Sequence, residues 1–453
     1  MIQKKVISDA RKPALDALCD VIIGGAYAGQ AIGRRLRDCG ATPEDKRLAT
    51  GIFYTALENR ILINHIINQF VKHIPEPVVG EILSIAVAQL LFMDKIPDHA
   101  AVDQAVRQVR RLGREGIVPL VNGSLRTIIR ARDDGTISYP SKEENLVRYL
   151  SIMYSMSEPL VAKIIDAYGQ DEAEAIIMYK PSERWESIRP NVERFDAPKF
   201  EGYLSRRGWE YKQGPVPMNW YVRRAGDLTA DFDYKAGMFS VQGAASMLAA
   251  YAVEAQPGMH ILDACAAPGG KSALMCEIMQ GTGRVFAYDV HEHRVALIKA
   301  AEKRLRLNNL RAVVCDASIY RPDREMTMDA VLVDAPCSGL GVIANKTDIK
   351  LRYSDDNTQS LVDLQRKLLD TCSRYVKPGA LLVYATCTIL PEENENQVQA
   401  FLKRNRAFSL DTCDTWIPTA YRHLFSNGML KLMPHRDEMD GFFVARMRRM
   451  GND

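Results

Sequence analysis

The sequence predicts a multidomain chain: an all-α N-terminal domain, a small mixed α/β domain, and a doubly wound α/β domain at the C-terminal end. Three observations predict it. Residues 1–138 carry helical hydrophobic periodicity with no strand-like run, and residues 143–240 mix helical stretches with short strand-like pieces. From 241 to 453 apolar runs alternate with helical stretches, the pattern of a parallel sheet with helices on both faces. A length of 453 residues fits two or three such bodies.

In the first part, helices are expected over 8–28, 44–58 and 60–72. The next opens near Pro77 and places Val79, Ile82, Leu83, Ala86, Val87 and Leu90 on one face before Pro97 stops it. Two more follow, HAAVDQAVRQVRRLG and VPLVNGSLRTIIRA, with Gly113 and Gly116 between them. Polar residues 133–142 read as a linker. The middle part is expected to hold helices at 143–155 and 157–168, then strand pieces near Trp209–Tyr211 and Tyr221–Arg223 around the turn GPVPMN. In the last part the apolar runs are 259–264, 284–289, 311–316, 329–335 and 380–386, with a closing strand at 441–447.

Composition excludes several classes. No apolar stretch approaches the roughly 20 residues of a membrane span, and the N-terminus lacks the apolar segment of a signal peptide. A cytoplasmic protein that uses no membrane is expected. Nine cysteines, an odd number without a CxxC pair, argue against a disulfide framework or structural metal site. A net charge of +3 does not announce nucleic-acid binding. Local clusters say more: Arg107, Arg110, Arg111 and Arg114 share a helix face, Arg126, Arg130 and Arg132 follow, and such a stripe can equally hold phosphates or be a solvated helix face.

Ligands of doubly wound sheets bind outside the carboxyl ends of the strands, at the switch in strand order. The first such strand runs into Asp263-Ala264-Cys265-Ala266-Ala267-Pro268-Gly269-Gly270-Lys271. Small residues and glycines let a ligand approach the backbone, and the helix that follows offers free N–H groups and a positive dipole end. Asp289 ends the second strand and suits the hydroxyls of a ribose; Asp316 ends the third, on the adenine side; Asp334 ends the fourth. A dinucleotide site of the GxGxxG kind is absent.

DACAAPGGK, DAPCSG and YATCT, in that order, resemble motifs I, IV and VI of the RNA cytosine-C5 methyltransferase family. The match covers roughly 190–453. Residues ahead of it are similar to NusB, an RNA-binding all-α fold, and 143–240 looks like the family's small α/β RNA-binding extension, with its hallmark phrase at Gly237-Met238-Phe239-Ser240-Val241-Gln242. The resemblance implies a Rossmann-like catalytic domain that binds S-adenosyl-L-methionine through Cys265, Ala266, Ala267, Pro268, Gly269, Gly270, Lys271, Asp289, Asp316 and Asp334. It implies 16S rRNA as substrate, no metal, and no obligate protein partner. It assigns Cys387 as nucleophile and Cys337 as the residue that aids product release. Residue chemistry alone leaves those two unordered.

That chemistry stands beside the resemblance. Carbon 5 of cytosine is a weak nucleophile until a thiolate adds to C6, and cysteine suits reversible addition. Asp334 is suited to hydrogen-bond N3 and the exocyclic amine as C6 is attacked, and Lys271 adds positive charge nearby. DAPCSG lacks the second proline and aromatic residue of enzymes that methylate amino groups. The target base must be unpaired or flipped out, with Phe239, Trp220 and Tyr221 as candidate stacking residues, each equally suited to core packing. Arg446, Arg448 and Arg449 are candidate phosphate contacts.

The chain departs from the family at three places. Ala344-Asn345-Lys346-Thr347 replaces a stretch that usually carries two arginines and a proline before Asp348-Ile349-Lys350; Gly123 interrupts a helix; and Gly243 replaces an aspartate. These bear on the target nucleotide more than on the reaction. The alternatives are a tRNA or another rRNA site, and, in a different class, a non-catalytic RNA-binding assembly factor.

Overall fold

The computed structural model describes residues 10–37, 39–181, 183, 185–344 and 346–451. They form two compact units: one runs up to Met178 and includes the short stretch between Ala344 and Asp355, and the other takes Tyr179–Ala344 and everything from Asp355 onward. No helix among the described residues is long and apolar enough to cross a membrane.

The first unit is helical: α1 (Arg11–Ile22), α2 (Ala28–Arg37), α3 (Pro43–Glu58), α4 (Arg60–Phe70), α5 (Pro77–Phe92), α6 (Asp98–Arg111), α7 (Val118–Asp133), α8 (Leu146–Tyr154), α9 (Glu158–Tyr168) and α10 (Gln170–Met178). α3 starts where Thr42 accepts the Asp45 N–H and Pro43 pre-sets the first turn. α5 is the hub, with every residue from Ile82 to Leu90 buried. The single helix expected over 8–28 ends at Ile22, because Gly24 and Gly25 follow and Gly25 takes a positive φ of 70°. A new helix, α2, begins six residues on. The arginine stripe is largely neutralised within this unit: Arg107 pairs with Asp103, Arg110 with Glu115, Arg114 with Glu76 and Arg132 with Asp98.

The second unit opens with a four-stranded antiparallel sheet of β1 (Glu186–Pro190), β2 (Glu210–Gln213), β3 (Trp220–Arg223) and β4 (Phe239–Val241), in the order β2-β3-β1-β4. α11 (Ala197–Arg207) and the short α12 (Phe232–Lys235) belong to it. Its core is Ile188, Phe200, Leu204, Trp220, Val222 and Phe239. Trp220 and Phe239 are therefore packing residues and not base-stacking ones; alternation along β3 turns Trp220 inward and leaves Tyr221 half-buried.

The large sheet follows α13 (Ala244–Tyr251). Its strands are β5 (His260–Asp263), β6 (Arg284–Asp289), β7 (Leu310–Val314), β8 (Met328–Asp334), β9 (Val376–Thr386), β10 (Phe408–Leu410), β11 (Phe425–Ser426), β12 (Met429–Leu432) and β13 (Phe442–Arg449), in the order β11-β12-β13-β9-β8-β5-β6-β7, with β10 beside β13. α14 (Gly270–Ile278) and α15 (Glu292–Leu305) connect the first parallel strands. β9, β8, β5, β6 and β7 run parallel, while β13 lies antiparallel to β9 and β12 antiparallel to β13. Strand order reverses between β5 and β8, which sets the switch point at the ends of those two strands. The C-terminal arginines are absorbed by the fold. Arg446 is wholly buried against Glu254 and Asp411, Arg448 pairs with Asp411, and Arg449 donates to the Val376 carbonyl.

Past Ala344 the chain enters the helical unit for α16 (Ile349–Arg352), before α17 (Asp355–Cys372) resumes the second unit. The contacts complement helix dipoles. Asp348 accepts the Ala28 N–H at the start of α2, and Lys350 donates to the carbonyls of Glu58 and Tyr154, at the ends of α3 and α8.

A buried ion pair ties the small sheet to α14. Arg189 and Glu277 are both fully buried and 2.6 Å apart, and Arg189 also donates to Gln242. Arg189→Ala leaves an uncompensated carboxylate, so a loss of about 3–5 kcal/mol is expected. Urea denaturation followed by tryptophan fluorescence measures it; an unchanged midpoint refutes the role.

Candidate active site

The site lies where β5 and β8 end. The loop after β5 is pinned to both neighbours: Ala264 donates to the Leu332 carbonyl on β8 and Ala266 to the Tyr288 carbonyl on β6. Gly269 caps α14 with φ of 105°, and a Cβ there would meet the Ile298 Cα at 3.3 Å. Only glycine fits both demands. The loop thus presents Cys265, Ala266, Ala267 and Pro268 over the N-terminus of α14, where Gly270 and Lys271 begin the helix. Asp263 is buried, accepts the Ser272 hydroxyl at 2.6 Å, and is pushed by burial up to about 7.

Asp289 ends β6 almost wholly buried, receiving the His291 N–H, with Arg294 3.2 Å away. Arg294 also donates to the Ala267 carbonyl, which couples the two loops. Asp316 stands two residues beyond β7 and spends one oxygen on its own turn, accepting from the Ser318 N–H and hydroxyl.

Lys271 reaches Asp334 at the end of β8, 2.5 Å away, and lies 5.7 Å from the Phe442 ring centre. Burial alone would lower its pKa, but the Asp334 carboxylate holds it above the usual lysine value. Beyond Asp334, Ala335 donates to the Ala385 carbonyl and extends the β8–β9 ladder by one step. Cys337 and Cys387 follow, their sulfurs 3.4 Å apart. The Cys337 thiol is pushed well up, first by its hydrogen bond with Cys387 and then by burial. The structure therefore brings Lys271, Asp334, Cys337 and Cys387 together beside the β5–α14 loop. Cys276 and Cys372 are buried elsewhere, their thiols raised by desolvation.

Sequence reasoning missed the residues around the thiols. Glu393, fully buried in the turn before α18 (Glu395–Arg404), accepts the Ser338 N–H, the Ser338 hydroxyl and the Gln365 amide. Asn394 accepts the Thr386 hydroxyl and donates to the Thr388 carbonyl. Nothing in the run Pro391-Glu392-Glu393-Asn394 separates a buried acid from a solvated one; its only signal is its position just beyond YATCT.

Residues 250–448 match the family model described as 16S rRNA methyltransferase RsmB/F. A probable ribosomal RNA small subunit methyltransferase B of Bacillus subtilis is 33% identical over 448 residues, covering 98% of this chain and 99% of that one. The chain belongs to the RsmB/F family. The family's helical companion is present as well, since residues 8–130 match the NusB family model. A second relative, ribosomal RNA small subunit methyltransferase B of Shewanella oneidensis, is 29% identical and covers 96% of this chain and 98% of its own. The solved protein PH0851 superposes with a TM-score of 0.80 at 26% identity, across 96% of this chain and 98% of that one. NSun6 from Pyrococcus horikoshii, solved with SFG, shares the fold over 65% of this chain and 99% of its own, with a TM-score of 0.57 at 21% identity.

In this RsmB/F chain the tightest point of the site is Gly341, whose N–H donates to the Cys387 carbonyl. A Cβ there would lie 2.0 Å from the Gly441 carbonyl oxygen and 2.9 Å from that of Cys387. Gly341→Ala must move the Cys387 turn, and a shift of about 1 Å costs on the order of 100-fold in rate. A methyl-transfer assay on the soluble variant tests this; native turnover sinks it.

Proposed function

We propose that this chain methylates carbon 5 of a cytosine in 16S rRNA, with S-adenosyl-L-methionine as methyl donor, through a covalent bond between Cys387 and cytosine C6. The observation that carries the reading is the thiol pair: two cysteines 3.4 Å apart, beside an aspartate–lysine pair at the switch point of a methyltransferase-like sheet.

The loop from Cys265 to Lys271 suits the donor. Its glycine stands where a side chain would strike Ile298, its helix start offers backbone N–H groups, and Asp289 supplies a carboxylate at the end of the next strand. Asp316 and Asp334 complete the acidic strand ends. Bound there, S-adenosyl-L-methionine supplies an electrophilic methyl group.

The chain's own residues do the rest. The two thiols share a hydrogen bond in which either sulfur can be the donor, and the reading requires Cys387 to react as thiolate after its proton has passed to solvent. The Cys387 sulfur adds to C6, and the C5=C6 electron pair becomes available at C5 to take the methyl group. Asp334, held by Lys271, is placed to hydrogen-bond the cytosine N3 and amine as ring charge builds. Release requires a base to take the C5 proton, whose electrons re-form C5=C6 and expel the Cys387 sulfur as thiolate; Cys337, in its deprotonated form, is the neighbour placed to accept that proton. The RNA assignment rests on the family and its NusB part, and on relatives whose names specify small-subunit ribosomal RNA.

Cys387→Ala is expected to abolish transfer of label from S-adenosyl-L-methionine to unmodified 16S rRNA while donor binding persists; full residual activity removes the nucleophile assignment. Cys337→Ala is expected to trap a protein–RNA adduct, seen as a slow band on a denaturing gel. A band trapped by Cys387→Ala instead exchanges the two roles. Asp289→Ala removes a charged acceptor worth about 1.5–3 kcal/mol, so donor affinity should fall roughly 10- to 100-fold. Calorimetry with S-adenosyl-L-methionine checks it, and unchanged affinity moves the ribose contact elsewhere.

A further inference from the structure

The two thiol turns are braced by one dipeptide, and each turn by a different residue of it. Cys337 is held from both flanks. On one side the Pro336 carbonyl accepts from Gln365, 2.9 Å away, and the same Gln365 amide donates to Glu393. On the other, Ser338 gives Glu393 both its backbone N–H, at 2.9 Å, and its hydroxyl. Cys387 is bracketed in the same manner by the next residue. Asn394 accepts the Thr386 hydroxyl through its oxygen and donates from its nitrogen to the Thr388 carbonyl, at 3.0 Å. A cross-link joins the two brackets, since the Ser338 and Thr388 hydroxyls are 2.6 Å apart. Glu393 is itself anchored by its carbonyl, which accepts from the buried Tyr384 hydroxyl on β9.

Burying a carboxylate away from a cation is costly, yet the hydrogen bonds that the Glu393 carboxylate accepts come from uncharged groups, those of Ser338, Gln365 and Thr388. Most of its side-chain hydrogen bonds go to the turn that carries Cys337, through Ser338 and Gln365, and one reaches Thr388 beside Cys387. We infer that Glu393 and Asn394 are positioning residues for the methyl-transfer reaction, Glu393 chiefly fixing the Cys337 turn and Asn394 the Cys387 turn, so that the two sulfurs stand side by side. The inference rests on the covalent cysteine reading above. It makes Asn394 a determinant of adduct formation and Glu393 a determinant of adduct release.

Glutamine in place of Glu393 can keep the contacts to Ser338 and Gln365. Its oxygen accepts from the Ser338 N–H and Gln365, and its amide donates to the Ser338 hydroxyl, which then donates to Thr388. Alanine loses them all.

The test uses the full-length protein, labelled S-adenosyl-L-methionine and an unmodified 16S rRNA transcript. Donor affinity, kcat, KM and the denaturing-gel adduct are read for each variant. Asn394→Ala placed in the Cys337→Ala chain should lower the rate of adduct formation by about 10- to 100-fold, the scale of a misplaced nucleophile. Glu393→Ala in the otherwise native chain should lower kcat with KM and donor affinity unchanged, and accumulate adduct that the native chain does not. Glu393→Gln should restore release.

Equal effects of Asn394→Ala and Glu393→Ala on formation and release overturn the inference, as does a loss of donor affinity in step with activity. Failure of Glu393→Gln alongside Glu393→Ala overturns it too, because charge and not geometry is then what the turn needs. If Glu393→Ala does not fold, Ser338→Ala removes the hydroxyl link alone and should accumulate adduct in the same direction; native release by that variant overturns the bracket. If Cys337→Ala itself traps no adduct, the cysteine reading has failed, and the bracket is judged on turnover alone. Loss of kcat in Glu393→Ala with donor affinity intact, restored in Glu393→Gln, then upholds it, and native kcat removes it.

Discussion

The register between β8 and β9 is the constraint on which the site depends. Asp334 lies opposite Ala385, and the next rung joins Ala335 to the same residue. One thiol then follows on each chain. A slip of one residue would displace one turn by about 3.3 Å and reverse the faces of every side chain on that strand. Packing opposes the slip. Ala330, Val331, Leu332 and Val333 on β8, and Leu381 to Ala385 on β9, are buried on both faces, so exchanging their faces would force each into space already filled by other side chains. The geometry of the candidate site is in this sense a property of the core, and the turns inherit it.

Much of this was legible because parallel strands buried on both faces leave continuous apolar runs, and because the motifs sit at their ends. DACAAPGGK, DAPCSG and YATCT mark three strand ends, and the structure draws those three together. What escaped has a physical reason in each case. β10, β11 and β12 have three, two and four residues, too few for any period to register. α2 was hidden by reading through Gly24 and Gly25. Trp220 and Phe239 carry the same aromatic signature whether they stack on a base or fill a core, and only the small sheet's pleat decides. Arg446 sits in a strand that is buried on six successive residues, so alternation gave no hint that its charge lies inside. Glu393 and Asn394 act through partners distant in the chain, which spacing does not encode.

Several charges of this chain are spent inside it. Arg189 with Glu277 and Arg446 with Asp411 are buried, and Arg446 with Glu254 and Lys271 with Asp334 are partly so. Such pairs contribute little net stability compared with apolar residues of like volume, but they fix orientation because each partner is costly to leave alone. The pattern explains why a chain with net charge of only +3 can still be rich in arginine. Counting basic residues overstates what is offered to phosphates, since most of the N-terminal stripe and the C-terminal arginines already have partners within the fold.

The excursion between Ala344 and Asp355 has a consequence for how the chain can be dissected. Asp348 and Lys350 are capping groups supplied from far along the sequence: one sits at the start of α2, the other at the ends of α3 and α8. The helical unit is thus completed by residues synthesised long after its own helices, and it reaches its finished form only when the segment just past Cys337 has emerged. A fragment cut at Met178 would lack its own caps, and a fragment beginning at Tyr179 would carry a ten-residue strap with nothing to close on. A gene boundary drawn at Met178 would separate the helical unit from the segment that caps three of its helices.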